Sequence, residues 1–117
     1  MTDNCEPSIC IPRTLNNKSR HDIKDIFETI FGVSSVYRVD IITKHDIDQE
    51  HCKIFVHFNK WSQDKVINDI RERLIRGDNI KIVYDNPWFW RCSASRIPRP
   101  KVNSYSTIRN PTNIPII

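Results

Sequence analysis

Two segments with helical periodicity lie between segments whose apolar residues alternate, and this order limits the fold more than any other feature of the chain. Each helical segment places five apolar side chains one, three or four residues apart, which gives each helix one buried face. The first stripe is Ile23, Ile26, Phe27, Ile30 and Phe31. The second stripe is Val66, Ile67, Ile70, Leu74 and Ile75. Both segments are therefore predicted to be amphipathic helices.

Polar residues and glycines mark the ends of both predicted helices. Ser19 is a predicted N-cap, and Asp22 three residues later resembles the second member of a capping box. Gly32 follows the last apolar position, where a left-handed C-terminal cap is expected. Ser62 and Gly77 are expected to begin and end the second helix in the same way.

Five alternating segments surround the helices and are predicted to be strands. They are Ser8–Pro12, Val36–Thr43, Cys52–Phe58, Asn79–Tyr84 and Trp88–Ala94. The order is strand, helix, strand, strand, helix, strand, with a small extra strand before the last one. This order predicts an α+β fold of the ferredoxin-like β-α-β-β-α-β type, in which a four-stranded antiparallel sheet carries both helices on one face. The other face would then be free to bind a partner.

The composition divides the chain into three predicted parts. These are a disordered lead at 1–7, a domain at 8–95, and a basic, extended tail at 96–117. Two glycines in the whole chain exclude a glycine-rich phosphate loop. The acidic, polar beginning is unlike a secretory signal, and no apolar run is long enough to span a membrane. We therefore expect an intracellular protein with reduced cysteines, in cytoplasm or nucleus, or in the virion if the protein is viral.

The positive charge of the chain is concentrated at its end. Residues 1–85 contain 13 basic and 14 acidic side chains, which nearly balance. Residues 86–117 contain no acidic side chain and hold Arg91, Arg96, Arg99, Lys101 and Arg109. This asymmetry is typical of a contact with a polyanion, and a solvated tail that only aids solubility is the alternative interpretation.

The third predicted strand carries an unusual outer row. Its inner residues are the apolar Ile54, Val56 and Phe58, whereas Lys53, Phe55 and His57 alternate with them on the other face. A cation, a ring and an imidazole in one row suit the stacking of bases and the holding of phosphates. By the same alternation, Arg38 and Arg91 are expected to join Phe55 on this face. The alternative is a solvated sheet with cross-strand ion pairs such as Asp40–Lys53.

The predicted order of elements and the segment His51–Phe58 resemble the RNA recognition motif over about residues 8–95. The second half of the segment, Phe55-Val56-His57-Phe58, fits the longer signature of that family. The first half departs from this signature. On the first strand, where the family normally has an exposed aromatic residue, this chain has Cys10. The resemblance implies an RNA-binding sheet with Phe55 as its one remaining stacking ring. Pro87-Trp88-Phe89-Trp90 is also similar to a segment of short proteins from large nucleocytoplasmic DNA viruses.

The sequence contains no pattern typical of a metal site or of an enzyme. No Cys-x₂-Cys or His-x₃-His pair occurs, and the acidic residues of the loop Lys44–Glu50 have no apolar surroundings. Cys52 and His57 are predicted to face opposite sides of their strand. We expect no catalysis, cofactor or metal.

Trp90 is predicted to lie in the core, and the position of Trp88 is left open.

The sequence favours a domain that binds RNA or single-stranded nucleic acid. Its predicted contacts are stacking on Phe55, contacts to the nucleic-acid backbone from Lys53, Arg38 and Arg91, and a basic tail from Arg96 to Arg109 that folds over the ligand. His57 is also a predicted site residue on the sheet. The tail contributes Arg96, Arg99 and Lys101. The alternative is a protein-interaction module or viral structural component that docks a partner by adding a strand.

Overall fold

Five strands and two helices are present in the part of the chain that the computed structural model describes, residues 4–44, 48–97 and 99–100. They are β1 (Ile9–Leu15), α1 (Arg20–Phe31), β2 (Val36–Lys44), β3 (Asp48–Phe58), α2 (Lys65–Ile75), β4 (Ile80–Asp85) and β5 (Trp88–Ala94). The strands form one sheet in the order β2-β3-β1-β5-β4, and all neighbours are antiparallel. The predicted α+β class with an antiparallel sheet and two helices is confirmed.

The predicted number of four strands is wrong, because β4 pairs with β5 and continues the sheet. Ile80 lies opposite Cys92 and Ile82 lies opposite Trp90, and all four side chains are buried. The hairpin thus extends the apolar face of the sheet instead of standing apart from it. Burial of its inner side chains in this face stabilises the hairpin, because an isolated hairpin is only marginally stable in water.

Helix α1 begins as predicted. Ser19 Oγ accepts a hydrogen bond from the backbone N–H of Asp22 at 3.1 Å, and Asp22 Oδ2 accepts one from the N–H of Ser19 at 3.2 Å. This capping box satisfies two N–H groups that a helix leaves unpaired. Gly32 has the positive φ of 115°, but its ψ of 151° lies outside the left-handed helical region.

The N-cap of helix α2 lies two residues later than predicted. Asp64 is the N-cap, and its carboxylate accepts from the N–H of Val66 at 3.0 Å, while Ser62 Oγ accepts from the N–H of Asp64. Only the middle of the predicted stripe is covered, since Val66 is 66% and Ile75 53% exposed. The helix therefore packs mainly through Ile67 and Leu74.

Both helices and all five strands contribute to one hydrophobic core. Phe27 lies near its middle and stacks on Phe31 and on Trp90, each with ring centroids 5.9 Å apart. Trp90 is buried, as predicted, and its indole N–H donates to Thr14 Oγ1 at 2.9 Å. Trp61 is also buried, although it lies in the connection before α2, and it packs on Phe31.

Two strands are longer than their patterns predict, and the residues just before β1 are hydrogen-bonded to the connection before α2. β3 begins at Asp48, within the segment predicted as a loop, and β1 continues past Pro12 to Leu15 with a shift of register. The carbonyl oxygens of Asn4 and Pro7 accept from the backbone and indole N–H groups of Trp61. No helix in the described ranges is long and apolar enough to cross a membrane.

Candidate functional site

The sheet face away from the helices contains the predicted site residues, but they do not form one cluster. Phe55 lies opposite Cys10 of β1, and Cys10 lies opposite Ser93 of β5. Because Arg91 precedes Ser93 on β5, strand β1 separates Arg91 from Phe55. We distinguish a buried row, an apolar hollow and a hairpin surface on this face.

The buried row is a chain of hydrogen bonds through Ser8, His57, Asp40 and Arg38. Ser8 Oγ lies 2.6 Å from His57 Nδ1, and His57 Nε2 lies 3.2 Å from Asp40 Oδ2. Arg38 Nε donates to Asp40 Oδ1 at 2.7 Å. Since an ionised carboxylate only accepts, Nε2 of His57 carries the proton that points to Asp40. Asp40 is therefore paired with Arg38 and His57, whereas Lys53, the partner that the alternative interpretation named, lies opposite Ile42.

The partners of Asp40 decide its protonation. Burial by itself raises the pKa of Asp40, but hydrogen bonds from His57 and Arg38, together with their positive charge, outweigh burial and lower it. Asp40 is thus a carboxylate that balances Arg38 on a largely covered surface. Ser8, His57 and Arg38 are each 2% exposed, so the row is a structural element of the folded sheet.

The chain after β5 runs across this face. The N–H of Ser95 donates to the carbonyl of Ser8, the residue before β1, at 2.7 Å, and the guanidinium of Arg99 lies 4.1 Å from the ring centroid of Tyr37 on β2. Between them, Ile97 shares a hollow with Phe55 of β3. Residues 95–97 and Arg99 therefore lie along this face between β5 and β2, and we call these residues the strap.

The predicted stacking ring is covered in this conformation. Phe55 is only 8% exposed, and it lies outside the main core cluster. Its neighbours His57 and Arg38 are still less exposed. A ligand therefore has little access to these three predicted site residues in this conformation.

The apolar hollow has a volume of about 300 Å³ and lies beside the strap. Apolar side chains of Phe55, Ile42, Ile97 and Pro12 line it together with Cys52, and Arg13, His51 and Lys53 add polar groups. Arg13 Nη2 lies 3.2 Å from His51 Nδ1. Lys53, a predicted site residue, is exposed.

The hairpin surface consists of Lys81 and Val83 of β4 and Phe89 and Arg91 of β5. Phe89 is 41% and Val83 55% exposed, and they lie opposite each other. Lys81 Nζ is 4.8 Å from the centroid of the Phe89 ring, and Lys81 lies opposite Arg91, which is also exposed. An accessible ring thus stands beside two cations. Trp88, at the turn, is 65% exposed.

Phe89 and Lys81 are not among the predicted site residues, although alternation along β5 gives Phe89 the same face as Arg91. Phe89 belongs to the segment Pro87–Trp90, which contains two tryptophans, and such a pattern is more typical of residues in the hydrophobic core. Of the predicted tail residues, Arg96 is exposed, Arg99 contacts Tyr37, and Lys101 lies outside the described residues.

Ser8, His57 and Asp40 have the residue types of a nucleophile, a base and an orienting acid, but Ser8 and His57 are buried in this conformation. Ser8 and His57 are each 2% exposed, so a substrate has no access to the hydroxyl. The thiol of Cys92 is also a poor nucleophile, because burial and the neighbouring Cys10 raise the pKa of the Cys92 thiol to about 12. Among the described residues, no three His, Cys, Asp or Glu side chains are grouped to hold a metal ion.

The geometry therefore offers one accessible aromatic and basic surface, on the hairpin, and one covered surface, beneath the strap. No protein-family model, no curated protein and no solved structure matches this chain.

Proposed function

We propose that this protein binds single-stranded nucleic acid on the open face of its sheet and begins that contact at the hairpin surface. The observation that supports this most is the exposed ring of Phe89 beside Lys81 and Arg91. A base can stack on the ring in place of the Lys81 ammonium that lies over it, while the displaced Lys81 and Arg91 contact the phosphates on either side. Stacking of this kind contributes about 1–3 kcal/mol per base.

The distribution of charge agrees with this proposal. Arg91 and Arg96 are exposed, and no acidic residue follows Asp85 in the sequence. A single-stranded nucleic acid that extends from the hairpin surface along the polypeptide after β5 would therefore meet further positive charge. Binding of this type releases counterions, so its affinity falls as salt is added.

We further infer that β1, β2, β3 and β5 with the two helices form a ferredoxin-like unit of the RNA-recognition type, to which β4 is added. Two features support this inference. The first is the order of elements, in which each helix lies between strands, and the second is the central position of β1 between β3 and β5. In such a unit the face away from the helices binds RNA.

A protein partner is the second candidate, because the hairpin surface is also apolar. Trp88 and Val83 are 65% and 55% exposed, and β4 is the last strand of the sheet. An extended peptide that adds to β4 would cover part of this surface. Such a partner depends on backbone hydrogen bonds and apolar contacts, so its affinity is expected to change little with salt.

A salt series with charge variants separates these candidates. The probe is a single-stranded oligonucleotide of mixed sequence, and the variants are Lys81→Ala and Arg91→Ala, with Lys24→Ala on the exposed side of α1 as control. Each hairpin variant is expected to weaken binding and to reduce the slope of log affinity against log salt by about 0.7 to 1. No binding at low salt, or equal effects of all three variants, would reject the nucleic-acid proposal.

A further inference from the structure

We propose that the apolar hollow is a binding site for a small monocarboxylate with an apolar body. The hollow lies on the sheet face away from the helices and has a volume of about 300 Å³. This volume is at the lower end of the range for small-molecule sites, so it suits a ligand of metabolite size. Binding there does not depend on the nucleic-acid contact at the hairpin surface.

A bulge in β1 forms one wall of the hollow. The register of β1 against β3 shifts between Ile11 and Thr14, which adds one residue to β1. Pro12 and Arg13 therefore share the position opposite Lys53. Pro12 and Arg13 are both exposed, although successive residues of a regular strand lie on opposite faces. The bulge thus brings the Arg13 guanidinium to the face of the Lys53 ammonium, and both side chains line the hollow.

The other walls of the hollow are largely apolar. Ile42 of β2 lies opposite Lys53, and Phe55 is the next residue of β3 on the same face. Ile97 of the strap lines the hollow together with them. Ile42 is 45% and Ile97 56% exposed, so apolar surface remains in contact with solvent in this conformation. A ligand with an apolar body would cover that surface and would be held there by the hydrophobic effect.

The polar side chains that line the hollow all carry N–H groups. They are Arg13, His51 and Lys53, and no acidic side chain is among the described residues of the lining. Arg13 Nη2 lies 3.2 Å from His51 Nδ1, and a guanidinium only donates, so His51 Nδ1 accepts and Nε2 carries the imidazole proton. The lining therefore combines two positive charges with donor groups, which favours an anion as the polar end of the ligand.

A carboxylate suits this lining better than a phosphate or a nucleobase. A carboxylate has a single charge and forms short, charge-assisted hydrogen bonds with ammonium and guanidinium groups. A phosphate monoester has nearly two negative charges at neutral pH, and these are costly to bring beside Ile42 and Ile97. A nucleobase has donors as well as acceptors, and the described side chains of the lining include no oxygen acceptor for its donors.

Titration of the isotope-labelled full chain with hexanoate tests the site, with backbone amide chemical shifts as the readout. We expect saturable shifts centred on His51, Lys53 and Ile97, with a dissociation constant of about 1 mM or lower. Acetate lacks the apolar body and hexanol lacks the charge, so each should bind at least about tenfold more weakly. Shifts without saturation, or shifts centred outside the hollow, would overturn the proposal. Adenosine monophosphate that binds these residues as tightly as hexanoate would overturn the assigned ligand class.

Two variants at exposed positions separate the charge from the apolar contact. Lys53→Met keeps the apolar stem and removes the ammonium, so it should weaken hexanoate binding about tenfold and leave hexanol binding unchanged. Ile42→Ala removes part of the apolar wall and should weaken both ligands by the same factor, roughly three- to tenfold. Lys24→Met on the exposed side of α1 is the matched control and should change neither affinity. Unchanged hexanoate binding in both hollow variants, or equal loss of hexanoate and hexanol in Lys53→Met, would contradict the proposal.

Discussion

His57 Nε2 and Asp40 Oδ2 lie 3.2 Å apart on the sheet face opposite the helices, where neither side chain has ready access to solvent. The contact joins neighbouring strands β3 and β2 and continues to Arg38 of β2 and to Ser8, the residue before β1. Polar side chains therefore connect β2, β3 and the start of β1 on one face, and the hydrophobic core connects these strands on the other. This arrangement gives the face a structural role that the sequence pattern did not indicate.

Asp40→Asn should destabilise the fold. The variant removes the charge that balances Arg38 and leaves one amide in place of a carboxylate that accepts two hydrogen bonds. We expect the free energy of unfolding to fall by about 1.5–3 kcal/mol, the range for hydrogen bonds to charged groups. Urea denaturation would show this as a lower midpoint at an unchanged m value. The control Asp69→Asn, at an exposed surface pair, should change stability by less than about 0.5 kcal/mol.

The stability that Asp40 supplies should disappear in acid. Its pKa in the folded protein is lowered below the ordinary value of 3.8, despite burial, by hydrogen bonds and positive charge from His57 and Arg38. A group with a lowered pKa stabilises the fold fully above its unfolded pKa, and this contribution is lost as the pH falls through the folded pKa. The difference in unfolding free energy between the unaltered protein and Asp40→Asn should therefore be constant near neutral pH and shrink below about pH 4. A difference that stays constant down to pH 2.5 would contradict this role of Asp40.

Release of the strap should uncover Phe55 as a second binding ring. Ile97 is 56% exposed, so Ile97→Gly removes an anchor of the strap without opening the core. Phe55→Leu, which keeps most of the apolar volume but removes the ring, should have little effect on oligonucleotide binding in the unaltered chain. In the Ile97→Gly background the same change should weaken binding by about 1–3 kcal/mol, the contribution of one stacked base. Equal effects in both backgrounds, measured by fluorescence anisotropy, would show that the strap does not control access to Phe55.

The helices and the core could be predicted from the sequence because their signals are local. Ser19 and Asp22 lie three residues apart, and their capping box forms as expected. The alternation of β3 also assigned Ile54, Val56 and Phe58 to the core. The strand count was wrong because a short hairpin has no local feature that shows whether it joins the sheet.

The candidate site was harder to predict because its accessibility depends on contacts between distant parts of the chain. Alternation placed Phe55 and His57 on the face away from the helices, but it contains no information about what else lies there. Ile97, about 40 residues later in the sequence, lines the same hollow as Phe55, and Arg99 contacts Tyr37 on the neighbouring strand β2. Phe89 remains accessible because the described strap passes on the β1–β3–β2 side of the sheet.

The most direct test of the proposed function is the affinity of Phe89→Ala for a single-stranded oligonucleotide at low salt. Phe89 is 41% exposed, so its removal should alter the surface and leave the core intact, which a thermal melt can verify. We predict that affinity falls by about 1–3 kcal/mol, or roughly 5- to 150-fold, while Val66→Ala, on the exposed side of α2, binds like the unaltered chain. Equal affinity of Phe89→Ala and the unaltered protein, or no binding by either, would contradict the account.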